Sequence, residues 1–163
     1  MLKRYLSLIS LLVFMLFASC ASVQYSQQIA EQKSIPQVAV KVSYKNEGIY
    51  QVEVANNLPD TIALQWNSSA YVNTNGKTIR LIHIENLDDF PETTPVEQKP
   101  VLIAPGVKLK MYFVGESWID FARRGVTPRP GDTTSTAKIY LAFDIKGKKT
   151  YWTGEVSFLP ELK

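Results

Sequence analysis

The chain has one cysteine, one histidine and a single long apolar run, and each scarcity removes a class of explanation. With Cys20 alone there is no internal disulfide, so a domain drawn from these 163 residues must be held by its core. With His83 alone there is no set of His and Cys at metal spacing, and neither a nucleophile elbow nor a phosphate-cradling glycine loop is present. Charge of either sign is scarce in excess: 18 Lys and Arg face 15 Asp and Glu. A chain so near balance offers no concentrated basic footprint for nucleic acid, and none is expected as a partner. The apolar run, Tyr5 to Phe17, is broken by Ser7 and Ser10 and falls short of the ~20 residues that a spanning helix needs.

What surrounds that run is informative. Lys3 and Arg4 precede it and Phe17-Ala18-Ser19-Cys20 closes it, which are the parts of an exported leader: a short positive start, an apolar stretch and small residues at the end. The four-residue string resembles the lipobox of bacterial lipoproteins, with Phe17 where leucine is usual. The resemblance implies cleavage before Cys20 and diacylglycerol on its sulfur; the alternative is an ordinary secretory leader cut near Ala18 that leaves a free thiol. Each buried methylene of an acyl chain contributes about 0.8 kcal/mol, so two or three chains hold firmly. Loss of the leader removes Lys3 and Arg4 and leaves 16 basic against 15 acidic side chains. Ala21, rather than Asp, follows the lipidated position. By a sorting rule that resembles the enterobacterial one, this implies the periplasmic face of the outer membrane.

Residues 1–19 are thus read as leader, and 20–36 as the lipidated cysteine with a flexible tether rich in Ser, Gln, Glu and Lys. A short helix over Ser26 to Lys33 is the alternative, without an apolar stripe to support it. From residue 37 to 163 the period changes to two, the mark of strands with one packed and one wet face. Val38, Val40, Val42 and Tyr44 alternate with polar or small residues, as do Tyr50, Val52 and Val54, with Asn46-Glu47-Gly48 as the turn between them. Ile62, Leu64 and Trp66 resume the alternation, and Trp66 is the leading core anchor. Asn67 to Ala70 interrupts it and predicts a bulge or kink. Asn75-Gly76 predicts a hairpin into Thr78–Glu85, Ala104-Pro105-Gly106 marks a corner before Val107 to Phe113, and Lys146-Gly147 joins the last two strands. About seven strands with short turns and one short helix predict an all-β fold, an antiparallel immunoglobulin-like sandwich.

Two long connections escape that pattern. Asn86 to Pro100 carries Asp88, Asp89, Glu92 and Glu97 among three prolines. The spacing matches no calcium loop and predicts a solvated connection, with no metal. Gly115 to Thr134 contains Ser117-Trp118-Ile119-Asp120, which has the form of a capping box, and Gly125 is placed to end a helix of one or two turns. Trp118, Phe121, Arg123, Arg124 and Arg129 form the candidate partner-binding patch, suited to a protein, an acidic glycan or lipid head groups. The competing reading has Trp118 and Phe121 plugging the open end of the sandwich. His83, between Ile82 and Ile84, reads as a structural histidine rather than a general base. No catalytic residue and no cofactor is expected, and the chain is read as a non-enzyme.

The stretch Asp60, Ile62, Leu64, Trp66, Ser69, Tyr71, Val72, Gly76, Arg80, Leu81, Ile82 and His83, with Pro105-Gly106 before a later strand, resembles a group of small bacterial lipoproteins. The resemblance covers about a third of the chain and implies a secreted β-sandwich tied to a membrane, with no activity attached. It singles out Trp66, Tyr71, Arg80 and His83 as a cluster on paired strands, where Arg80 would stack on an aromatic ring or satisfy turn carbonyls. The expected role is a lipid-anchored binding or scaffolding accessory of the cell envelope with an envelope protein or glycan as partner. The alternatives are a subunit of a secretion or envelope-spanning machine, and an envelope hydrolase.

Overall fold

The computed structural model describes residues 24–45, 48–85, 87, 90, 98–123 and 136–161. Residues Gln27–Leu159 form one compact unit. Ten strands run in chain order as β1 (Gln24–Lys33), β2 (Val38–Tyr44), β3 (Ile49–Asn56), β4 (Ile62–Leu64), β5 (Ala70–Val72), β6 (Thr78–Ile84), β7 (Val101–Ile103), β8 (Lys108–Gly115), β9 (Ala137–Ile145) and β10 (Lys148–Glu161). The single α-helix, α1, is Glu116–Arg123, directly after β8. The fold is all-β, and the strand order is β1-β10-β9-β5-β6-β8-β3-β2, with β4 between β9 and β7.

Two departures from the sequence reading explain why ten strands stand where about seven were expected. Residues 24–33, read as flexible tether, form β1 beside β10. Its composition hides it because its fixings are sparse: Ile29 packs against the core, Gln27 accepts the Tyr50 hydroxyl at 2.8 Å, and Glu31 accepts the Trp152 indole N–H at 2.7 Å. Gly154 makes the approach possible, since a Cβ there would lie 2.5 Å from Cη2 of Trp152 and 3.2 Å from Cγ2 of Ile29. The other two arise where single stretches are cut: residues 62–72 give β4 and β5 on either side of the Trp66–Ser68 turn, and residues 101–114 give β7 and β8 on either side of Ala104-Pro105-Gly106.

β4 and β5 are one strand path cut by a 3₁₀ turn, Trp66–Ser68, and both pair with β9. This is the interruption expected around Asn67 to Ala70. Ser69 repairs the break: its hydroxyl donates to the Gln65 carbonyl at 2.9 Å and accepts the Ala142 N–H at 3.0 Å, while the Gln65 N–H donates to the Ala142 carbonyl. Beyond it, β5 pairs with the first half of β6 (Ala70 opposite Arg80), whose second half pairs with β8 (Ile82 opposite Val114). β6 therefore links two sets of strands, and their shared inner face is the main core.

That core contains Tyr50, Trp66, Phe113, Phe143 and Trp152, all at most 2% exposed. Tyr50 stacks on Phe113 with centroids 5.3 Å apart, and Trp66 lies 5.7 Å from Phe113. Burial of side chains of this size contributes about 1.5–3 kcal/mol each, and the aromatic pairings add specificity of position. Tyr71 faces the same interior beside Tyr50, and burial pushes its hydroxyl pKa up to about 12. At one end of the unit Asn56, fully buried, joins three segments: its Nδ2 donates to the carbonyls of Asp60 (2.8 Å) and Ile103 (2.9 Å), and its Oδ1 accepts the Leu58 N–H (3.0 Å). Its main chain is bonded as well, to Val107 and Gly106.

Candidate functional site

The Gly115–Thr134 connection begins where Gly115 pairs with Leu81, and the chain turns there straight into α1. Ser117 consequently lies inside the helix instead of capping it. The first turn carries Glu116, whose carboxylate suits the positive end of a helix and pairs with Arg80 at 2.8 Å. Both side chains are more than a third exposed, so the pair contributes about 0–1 kcal/mol and positions more than it stabilises. Among the described residues the partner of Arg80 is this carboxylate, not an aromatic ring or the carbonyls of the hairpin turn.

α1 packs on the outward face of the strands. Ile119 is fully buried with Ile49, Ile82, Ile84 and Val114 in a second apolar cluster, against which Trp118, Tyr112 and Phe90 also pack. Trp118 is half-buried, with its six-membered ring over Gly48 and its five-membered ring against Gly115. Gly48 has φ +82°, and a Cβ on it would sit 1.6 Å from Cε3 of Trp118. The tryptophan is therefore a packing residue, but not as an end plug: it joins the cluster on the outer side of β3, β6 and β8, which Ile49, Ile82, Ile84 and Val114 make apolar. Phe121 and Arg123 lie further along the same helix, whereas Arg124 and Arg129 lie outside the described residues. So do Cys20 and the carboxylates Asp88, Asp89, Glu92 and Glu97.

The second concentration of unusual side chains surrounds Trp66. The His83 ring stacks on the Trp66 indole with centroids 5.0 Å apart and planes 7° from parallel. Gln98 holds the strand there in place of a neighbouring strand: its Oε1 accepts the His83 N–H at 2.8 Å and its Nε2 donates to the His83 carbonyl. Asn67 does the same for Gln98, donating to its carbonyl at 3.0 Å and accepting its N–H at 3.3 Å. Two side-chain amides thus act as stand-in peptides and pin the end of the 86–100 connection to the 3₁₀ turn. Nothing in the sequence period signals this; an amide beside Lys99-Pro100 is the only trace. Of the four residues singled out by the lipoprotein resemblance, the structure unites Trp66 with His83, sends Tyr71 inward to Tyr50 and Arg80 outward to Glu116.

Burial lowers the His83 pKa, and the nearby Glu85 opposes the shift only in part. A histidine whose folded-state pKa lies below its unfolded value of about 6.5 takes up a proton preferentially in the unfolded chain. Stability is then complete above pH ~6.5 and declines as pH falls through that value toward the folded-state pKa. Urea midpoints measured from pH 8 to pH 5 are expected to fall with pH across this window, and His83→Gln is expected to flatten the slope. An unchanged slope in the variant would assign the dependence elsewhere.

Among the described residues no group of three or more His, Cys, Asp or Glu is placed to hold a metal ion, and no helix is long and apolar enough to cross a membrane. The Trp66 indole N–H is buried with no hydrogen-bond partner among the described residues. No family model matches the chain, and no curated protein matches it.

Proposed function

We propose that the chain is a lipid-anchored accessory protein of the bacterial cell envelope, held on the periplasmic face of the outer membrane, whose β domain binds or scaffolds another envelope component. The observation that carries this reading is Phe17-Ala18-Ser19-Cys20 after Lys3, Arg4 and the Tyr5–Phe17 run. An all-β unit with a packed core suits presentation of turns and edges to a protein or glycan partner, and acyl chains raise its concentration at the membrane. In this reading the two sets of strands linked by β6 are the layers of an immunoglobulin-like sandwich. The binding surface is assigned to the segment from α1 to β9, with Trp118, Phe121, Arg123, Arg124 and Arg129. Trp118 within it serves the fold through Gly48, so the arginines are its discriminating part.

The test is crosslinking in native envelopes. Wild-type protein is expected to fractionate with outer membranes and to give one reproducible crosslinked partner. Cys20→Ala should release it to the soluble fraction, and Arg124→Ala should lose the crosslink without change of melting temperature. A Cys20→Ala protein that stays on the membrane, or an Arg124→Ala protein that keeps its partner, would contradict the anchor and the surface respectively.

A further inference from the structure

The strand β1 changes what an anchor at Cys20 can do. Only six residues, 21–26, separate Cys20 from the first residue of the compact unit, Gln27. At full extension that is at most about 25 Å from Cα to Cα.

Where the tether enters the unit follows from the contacts of β1. Glu31 lies at Trp152, which pairs with Leu141, and Ile29 lies at Gly154, which pairs with Ile139. Successive contacts thus run toward Ala137, the start of β9, and Gln27 is at that end, bonded to Tyr50. The same end holds the β5–β6 turn with Lys77, since Val72 pairs with Lys138, and it holds Gly48 and the start of α1, since Ile49 pairs with Val114. The opposite end carries Asn56, the corner at Val107 and the Lys146–Asp60 ion pair at 2.9 Å. Between the ends β9 alone, Ala137 to Ile145, rises about 27 Å.

We infer that, given acylation of Cys20, the end bearing Lys77, Gly48 and the start of α1 faces the lipid surface, and the end bearing Asn56 and Val107 faces away from it. A tether of about 25 Å cannot reach past about 27 Å of strand, so the unit cannot invert on its anchor. The membrane-facing end presents Lys45 and Lys77, both exposed, to anionic head groups. A flexible 16-residue tether from Cys20 would permit any orientation; the pairing of β1 removes that freedom. The inference rests on the anchor reading, and its test separates the two.

The protein is purified in acylated form from its native host as single additional cysteine variants, Lys77→Cys and Val107→Cys, each carrying a fluorescent donor. Both are placed in phosphatidylethanolamine/phosphatidylglycerol vesicles containing a trace of acceptor-labelled lipid. Transfer to the lipid is expected to be several-fold more efficient from position 77 than from position 107. A further variant with ten Gly-Ser residues inserted after Ala21 is expected to bring the two efficiencies together. Equal or reversed transfer with intact co-flotation overturns the orientation alone. An unchanged ratio in the lengthened variant overturns the tether as its cause. Failure of the wild-type protein to float with vesicles overturns the anchor and the orientation with it.

Discussion

Asn56→Leu is expected to lower unfolding stability by about 3–5 kcal/mol, read as a drop in urea midpoint with little change in slope. Leucine has the same number of side-chain heavy atoms, so no cavity opens; its bulkier methyl groups add some overpacking to the loss of the hydrogen bonds. It strands the Ile103 carbonyl in the buried interior and the Asp60 carbonyl and Leu58 N–H in partly buried positions. A buried polar group left without its partner costs about 1–3 kcal/mol, and partial relaxation of the 57–61 loop keeps the total below a simple sum. Asn56→Asp retains the acceptor for Leu58 but turns a carboxylate toward two carbonyl oxygens. Its stability should therefore improve as pH falls toward the usual carboxylate value of about 3.9, where a protonated side chain regains one donor. A loss below 1 kcal/mol for Asn56→Leu would mean that the 57–61 loop and the β7–β8 corner are not tied through this side chain.

Gly48→Ala is expected to cost about 2–4 kcal/mol through two separable effects. The backbone at φ +82° costs an L-residue about 1–2 kcal/mol wherever it occurs. The rest comes from the Trp118 ring, which cannot share space with a Cβ at 1.6 Å and must leave its seat between Gly48 and Gly115. In a Trp118→Ala background only the backbone part should remain, so a double-mutant cycle is expected to show a coupling of at least 1 kcal/mol. Additive losses would place Trp118 away from Gly48 and return it to the candidate binding patch as a free aromatic.

The long alternating strands were legible because period two survives over seven or more residues, as in Val38–Tyr44. Trp66 was legible for the same reason, on the apolar parity of Ile62 and Leu64. What the period could not carry was structure built from few residues or from polar ones. Among the described side chains β1 is fixed beside β10 by Ile29 and by the acceptors Gln27 and Glu31, and so resembles a tether in composition. The amide pairings of Asn67 and Gln98 are long-range and leave no spacing to detect. The same holds for the candidate surface. A tryptophan followed by a phenylalanine and arginines reads as a patch or as a plug, with burial of large aromatics favouring the plug, and its actual seat turned on Gly48, 70 positions earlier in the chain.

The proposed lipid anchor at Cys20 carries the proposed function and the orientation inferred from it. Intact mass and amino-terminal peptide analysis of the protein from its native host should show a chain that begins at Cys20 and carries the added mass of a diacylglyceryl group. A chain that begins at any other residue, or a Cys20 that still reacts with a thiol reagent, would contradict it.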